Sequence, residues 1–184
     1  RDGSSGAIPI IADLGWRIIP QLYIGAYGQF APVLTKNNVN CPDGFDCAAQ
    51  SWRFGVQVDY HFIPRSRFDP YVGLGSGYEI LHSSATGNVP VPTPGGAVSG
   101  FASAHSIDRG WEFANLSVGF DYRATDFFGF GPFVSASVGE YNVRTGGTMV
   151  TVGGAQVSNT FLPPVDHALH ELFFAGVRGT FNPL

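Results

Sequence analysis

The sequence predicts an all-β chain folded as an antiparallel up-and-down transmembrane β-barrel, and three observations carry the prediction. Trp52 to Phe62 reads W-R-F-G-V-Q-V-D-Y-H-F, an unbroken alternation of bulky apolar side chains with Arg53, Gly55, Gln57, Asp59 and His61. Successive side chains of a strand point to opposite faces, so one face here is apolar with aromatic ends and the other is small or charged. Composition then decides which face points out: there is one lysine (Lys36), with 13% charged residues, 14% aromatics and 25 glycines. A soluble surface commonly needs about a quarter or more of its positions charged, so the apolar face is expected to meet lipid. Finally, no run of 18 apolar residues occurs, which excludes a transmembrane helix and leaves strands to do the crossing.

Seven strands can be read in order. Ile8 to Ile18 places Ile8, Ile10, Ala12, Leu14, Trp16 and Ile18 outward against Asp13, Gly15 and Arg17. Leu22 to Phe30 sets Leu22, Ile24, Ala26 and Phe30 against Tyr23, Gly25, Tyr27 and Gln29. After Trp52 to Phe62, the segment Pro70 to His82 alternates Val72, Leu74, Tyr78 and Ile80 with Tyr71, Gly73, Gly75, Gly77 and Glu79. Trp111 opens the fifth strand, where Leu116, Val118, Phe120 and Tyr122 oppose Asn115, Ser117, Gly119, Asp121 and Arg123. Phe128 to Val138 alternates Phe128, Phe130, Val134, Ala136 and Val138 with Gly129, Gly131, Phe133, Ser135 and Ser137. The seventh, from about Leu169 to Phe181, turns Phe173, Ala175, Val177 and Phe181 out and Gly176, Arg178 and Thr180 in. Each is long enough to cross a bilayer, which takes about 9 to 11 tilted residues.

The connections alternate between short and long. Ile19-Pro20-Gln21, Pro64 to Arg67 and Ala124-Thr125-Asp126 are tight turns, whereas Ala31–Ser51, Ser83–Gly110 and Arg144–Ala168 are expected to be long outer loops. Within the last, Met149 to Ser158 predicts a small hairpin above the membrane. Opposed hairpin residues must share a face. A turn near 64–68 opposes Phe54 to Tyr78, Val58 to Leu74, Tyr60 to Val72 and, inside, Arg53 to Glu79. The turn at 124–126 opposes Tyr122 to Phe128, Phe120 to Phe130 and Leu116 to Val134. Aromatics gather at two levels, as in the interfacial girdles of a membrane barrel: Trp16, Tyr60, Phe62, Tyr122, Phe128 and Phe181 near the turns, and Phe30, Trp52, Phe54 and Tyr78 near the loops.

The 184 residues read as a single barrel domain, with no linker and no second composition regime. Closing seven such strands would force two neighbours to run parallel, and single-chain bacterial barrels use even numbers from eight upward. A further strand before Arg1 is therefore expected, with Arg1–Gly6 left over from an outer loop. No signal peptide is readable.

The run Pro70-Tyr71-Val72-Gly73-Leu74-Gly75-Ser76-Gly77-Tyr78, the paired alternating hairpins and a last strand ending near Phe181 resemble the small eight-stranded outer-membrane barrels of the OmpA and OmpW kind. The resemblance covers nearly the whole chain through degenerate motifs, and it brings no catalytic residues. It implies residence in the bacterial outer membrane, long loops extracellular and short turns periplasmic. It also implies folding by the outer-membrane assembly machinery, which recognises an aromatic-rich last strand. Gly176, Gly179 and Phe181 match that signal in part, and Asn182-Pro183-Leu184 replaces the usual terminal aromatic.

The inward list sets Asp13, Asp59, Glu79 and Asp121 against Arg17, Arg53, Arg123 and Arg178, four acids to four bases. Side chains roughly fill an eight-stranded interior, where unpaired charges are expensive, so a cross-linked plug is expected, with an ion pair between Arg53 and Glu79. The competing reading is a narrow polar path beside Asp59 and His61, with room left by the glycines at 73, 75, 77, 129 and 131; the reading favoured for these glycines is that they accommodate large neighbours such as Tyr71, Phe133 or the Arg side chains. Cys41 and Cys47 sit in one exposed loop and predict a disulfide. Asp43 and Asp46 lie nearby, but two cysteines without a histidine pair fall short of a zinc site, and no cofactor is indicated.

Three other classes fit the residues less well. Lipid A deacylases among the small barrels carry a membrane-facing His-x-Ser pair followed by Asn, with a Glu orienting the His; His82-Ser83-Ser84 and Glu140 resemble it, but Ala85 stands in place of Asn. His105, His167 and His170 assemble no ligand set. A soluble lipocalin-like carrier needs an apolar interior, the reverse of Arg53, Asp59, Glu79 and Asp121. A net charge of -4 with no basic cluster argues against nucleic acid. The expectation is an outer-membrane barrel, not an enzyme, with a structural or surface-interaction role. A narrow channel for small or hydrophobic solutes, as in OmpW-like relatives, is second, and a lipid A-modifying barrel third. Its partners would be lipid and a protein at the outer loops or at the missing-strand edge.

Overall fold

The computed structural model describes residues 9–33, 41, 43–164 and 167–181. Arg1–Gly6, Ile8 and Asn182-Pro183-Leu184 lie outside the described residues. Among those described there are eight strands and no helix: β1 (Ile10–Ile19), β2 (Leu22–Val33), β3 (Phe45–His61), β4 (Phe68–Thr93), β5 (Gly96–Arg123), β6 (Phe128–Val152), β7 (Ala155–Phe161) and β8 (Ala168–Phe181). They form one sheet in the order β5-β4-β3-β2-β1-β8-β6-β7, and a β5–β6 pairing closes it into a ring. Seven strands make the ring itself, while β7 pairs only with the outer part of β6.

The sheet is mixed rather than antiparallel throughout. Ile10–Leu14 of β1 runs parallel to Val177–Phe181 of β8, and the remaining pairings are antiparallel. The sequence predicts an additional strand before Arg1 that would avoid such a parallel contact. The ring instead closes through it, because a parallel ladder is only slightly less stable per residue than an antiparallel one.

Period-two patterning sets the faces as read. In β1 the exposed Ile10, Leu14, Trp16 and Ile18 alternate with buried Ile11 and Asp13, and in β2 Tyr23, Tyr27 and Gln29 turn inward. The β3–β4 register is the expected one, with Phe54 opposite Tyr78, Val58 opposite Leu74, Tyr60 opposite Val72 and Arg53 opposite Glu79. The β5–β6 register differs by two residues: Tyr122 opposes Phe130, Val118 opposes Val134 and Leu116 opposes Ala136. The cause is a wider turn. The Ala124 and Thr125 amides both donate to the Phe128 carbonyl, at 3.1 and 3.0 Å, and the Phe128 amide donates to Thr125 Oγ1 at 3.0 Å. Phe128 thus closes the turn instead of opposing Tyr122, and a shift of two leaves every side chain on its expected face.

The expected outer loops are largely sheet. β4, β5 and β6 are 26, 28 and 25 residues long, against 10 and 12 for β1 and β2, so Ser83–Gly110 is a hairpin that continues past the rim of the ring. Pro90 and Pro92 are accommodated because β4 has become an edge strand there, beyond Gly87, the last of its residues opposed by β3. The predicted Met149–Ser158 hairpin forms as the β6–β7 turn, with Gly153 and Gly154 both at positive φ (58° and 83°), as a tight two-residue hairpin turn requires.

Candidate functional site in the barrel lumen

Inward side chains stack in layers. At the turn end, Asp69 lies 3.3 Å from Arg17, 2.9 Å from His61 Nδ1 and 3.8 Å from Arg123. Arg17 and Arg123 are also anchored by the carbonyls of Pro20 (2.8 Å) and Pro64 (2.5 Å), which fixes the two short turns to the lumen floor. One layer up, Arg178 of β8 is ion-paired to Asp13 of β1 and Asp59 of β3, and lies over the rings of Tyr71 (4.4 Å) and Tyr23 (5.8 Å). Gln57 Nε2 donates to Asp59 at 3.0 Å, and the Thr180 hydroxyl donates to Asp121 at 3.4 Å. An apolar waist of Ile11, Tyr27, Tyr71 and Phe133 follows.

Above the waist Arg53 is buried between two carboxylates, Glu79 (Nε to Oε2, 3.5 Å) and Glu112 (Nη2 to Oε1, 2.6 Å). Its guanidinium also meets Ser137 Oγ at 2.5 Å and faces the Phe174 ring at 5.0 Å. Glu79 accepts from the Ser51 hydroxyl (3.1 Å) and the Tyr141 hydroxyl (2.6 Å), and pairs with His170 (3.1 Å); Glu112 accepts from the Tyr27 hydroxyl. Glu79 is hydrogen-bonded on several sides, whereas Arg53 Nε and Nη1 and Glu112 Oε1 hold their places by charge pairing and burial without a hydrogen bond of their own.

Of the eight residues expected in the lumen, Asp13, Arg17, Arg53, Asp59, Glu79, Arg123 and Arg178 make ion pairs, and Asp121 is buried beside them with its bond from Thr180. The four-to-four balance is corrected, because Asp69 and Glu112 are buried there too, at 1% and 0% exposure. Asp69 extends the Tyr71 parity one step before Pro70, the predicted start of the strand, because β4 begins at Phe68. Glu112 is turned in by a β-bulge, since Gly75 opposes Asn115 while Gly77 opposes Glu112, leaving Phe113 and Ala114 across from Ser76 alone. The Ser76 hydroxyl donates to the Glu112 carbonyl at 2.8 Å across the bulge. The sequence does carry the signal: exposed Trp111 and Phe113 share a face, and the next outward residue, Leu116, comes three positions later.

The inward glycines give up their volume to large side chains. A Cβ on Gly77 would stand 2.8 Å from the Tyr27 hydroxyl, one on Gly119 2.8 Å from the Tyr71 hydroxyl, and one on Gly73 would strike the Asp59 carboxylate. At Gly75 the nearest groups are Val56 O (3.1 Å) and Gln57 Cβ (3.4 Å); at Gly131 the Phe120 carbonyl intrudes, and only at Gly129 are the contacts ordinary. Two internal cavities, one at Gly129 and Asp121 and one at the waist beside Gly75, each have room for about one water molecule.

The other expected residues divide. Cys41 and Cys47 are disulfide-bonded, with Cα atoms 5.8 Å apart. The aromatics Trp16, Trp52, Phe54, Tyr60, Phe62 and Phe181 are exposed on the outer face. They pair with neighbours at the two levels: Phe30 with Trp52 (4.6 Å) and Tyr78 with Trp111 (5.3 Å) above, Tyr60 with Phe62 (5.3 Å) and Phe128 with Phe181 (5.0 Å) below, and Tyr122 with Phe68 (5.2 Å). His82, Ser84 and Glu140 are not assembled. Glu140 lies two strands across and four residues along from His82, by register roughly 16 Å, and its carboxylate pairs with His167.

No protein-family model, no curated protein and no solved structure matches this chain.

Proposed function

We propose that the protein is an integral outer-membrane β-barrel whose lumen is filled by its own charged and aromatic side chains, with a structural or surface-interaction role. One observation carries this reading: the outer face of the ring. Leu14, Val56, Leu74, Leu116, Val118, Val134 and Val177 are 50 to 64% exposed there, bounded above and below by the aromatic levels. From Phe62 to Trp52 the band runs ten residues, or about 25 Å at the usual rise and tilt. That is the thickness a bilayer core covers, and such a surface would drive aggregation in water.

In this reading the short turns are periplasmic, and the projecting β4–β5–β6–β7 sheet stands outside the cell as the surface that partners meet. The barrel enters the membrane through the outer-membrane assembly machinery. The water-sized cavities support a closed interior. The test is reconstitution of the folded, heat-modifiable protein in planar bilayers. Silence is expected; steady conductance that disappears in Gly75→Trp would replace this reading with a narrow solute channel. Failure to insert into lipid would remove both.

A further inference from the structure

Above the rim the projecting sheet has two free edges among the described residues, and their sequences differ. On one side β4 runs past its last β3 partner as Asn88-Val89-Pro90-Val91-Pro92-Thr93. Pro90 and Pro92 have no N–H to give, so this edge is blunted against further pairing. On the other side β7 pairs with β6 alone, and all seven of its residues, Ala155–Phe161, are exposed. It reads A-Q-V-S-N-T-F, without charge or proline, and no charged residue occurs from Thr145 to Val165. An open edge of this composition is a template for another strand.

The ladder with β6 fixes the two faces of β7. Asn159 stands opposite Met149 and Phe161 opposite Gly147, so these two share one face, while Ser158 and Thr160, opposite Val150 and Thr148, share the other. The one irregularity is the bulge at Val157, which leaves Ser158–Phe161 in regular register. Val157 is 51% and Phe161 83% exposed. A charged partner strand would find no counter-charge along this edge; a second β7 is as uncharged as the first.

We infer that β7 is a docking edge for a second copy of this chain, whose β7 adds antiparallel about a two-fold axis at Asn159. In that register Asn159 opposes itself, and Ser158–Thr160 and Val157–Phe161 oppose each other twice. Hydroxyl pairs and aromatic–β-branched pairs of this kind stabilise a ladder. The two-fold uses up both β7 edges, and Pro90 and Pro92 block head-to-tail addition to β4, so association stops at two copies. The placement of the pair rests on the outer-membrane reading: copies side by side in one membrane carry β7 in the same sense, so an antiparallel pair joins copies in facing membranes. Seven residues a side make an interface well below the standard size. A single pair is therefore weak, and two membranes are held through many pairs at once.

The test is cysteine cross-linking of the folded protein in detergent, where copies can meet in any orientation. Cys41 and Cys47 are bonded to each other, so an added cysteine is the free thiol. Asn159→Cys should give disulfide-linked dimers that increase with protein concentration, and Val157→Cys mixed with Phe161→Cys should link to each other in preference to themselves. Asn88→Cys, exposed on the proline edge, sets the level of random collision. Vesicles carrying the projecting sheet outward should cluster; Asn159→Lys, which sets like charges across the axis, should abolish clustering, and Asn88→Lys should leave it. Linkage of Asn159→Cys no greater than that of Asn88→Cys, or self-linkage favoured over the mixed pair, overturns the inference. Absent clustering, or clustering that survives Asn159→Lys, overturns its placement between membranes. Failure to insert into lipid would remove the outer-membrane reading, and the cross-links in detergent would still decide the β7 pairing.

Discussion

Arg53 and Glu79 face each other across the β3–β4 hairpin, in register and 3.5 Å apart, yet the guanidinium lies closer to Glu112, at 2.6 Å. One cation therefore serves two buried acids from different strands. The acids are unequally supported: Glu79 has Ser51, Tyr141 and His170 as well, whereas Glu112 has the Tyr27 hydroxyl.

Arg53→Met should cost about 3 to 5 kcal/mol, the range for stranding a buried charge, read as a lower urea midpoint of the folded protein. In that background Glu112→Gln should recover more stability than Glu79→Gln, because Glu112 has fewer other donors. Equal recovery would mean the two carboxylates are not held as described.

Val56 sits mid-band on the outer face, 64% exposed. If that face is in lipid, Val56→Arg should cost about 2 to 4 kcal/mol in vesicle-folding titrations, and the same change at Phe62, near the turns, only about 0 to 1. Equal, near-zero costs at both depths would place the face in water.

Gly77→Ala puts a methyl 2.5 Å from the Phe54 carbonyl and 2.8 Å from the Tyr27 hydroxyl. Overpacking of this kind costs about 1 to 3 kcal/mol. The backbone clash means that Tyr27→Phe should not restore the loss, which a double-mutant cycle measures.

The Cys41–Cys47 bond, with a sequence separation of 6, ties Cys41, ahead of β3, to Cys47 in the first rungs of its ladder. Reduction should cost about 2 kcal/mol by loop-closure entropy and speed proteolysis near Phe45 before the ring strands are cut. Unchanged protease sensitivity would show that the bond does not steady this end of β3.

Much of the barrel was legible because a single physical rule, two-residue periodicity with one apolar face, governs every strand of the ring. It placed Arg53 opposite Glu79 and Arg178 inside. What it could not supply was local departures from the period. The bulge at Phe113–Ala114 reverses the parity of β5 and hides Glu112, and the wider turn before Phe128 moves the β5–β6 register by two. The outer extensions were read as loops because Pro90, Pro92 and the small polar residues around them are poor strand formers; tertiary pairing with β5 overrides that preference where β4 is an edge. The parallel β1–β8 contact is what closing seven up-and-down strands requires; the strand count was legible, but not that the ring closes on it.

That contact has a temporal consequence. Every antiparallel hairpin of the ring can zip from a nearby turn, but Ile10–Leu14 finds Val177–Phe181 only across more than 160 intervening residues. Such a long-range closure is entropically the slowest step. The cylinder therefore has a clasp rather than a seamless wall. The clasp fastens last, only after β8 has joined β6, and until then β1 keeps one unpaired edge.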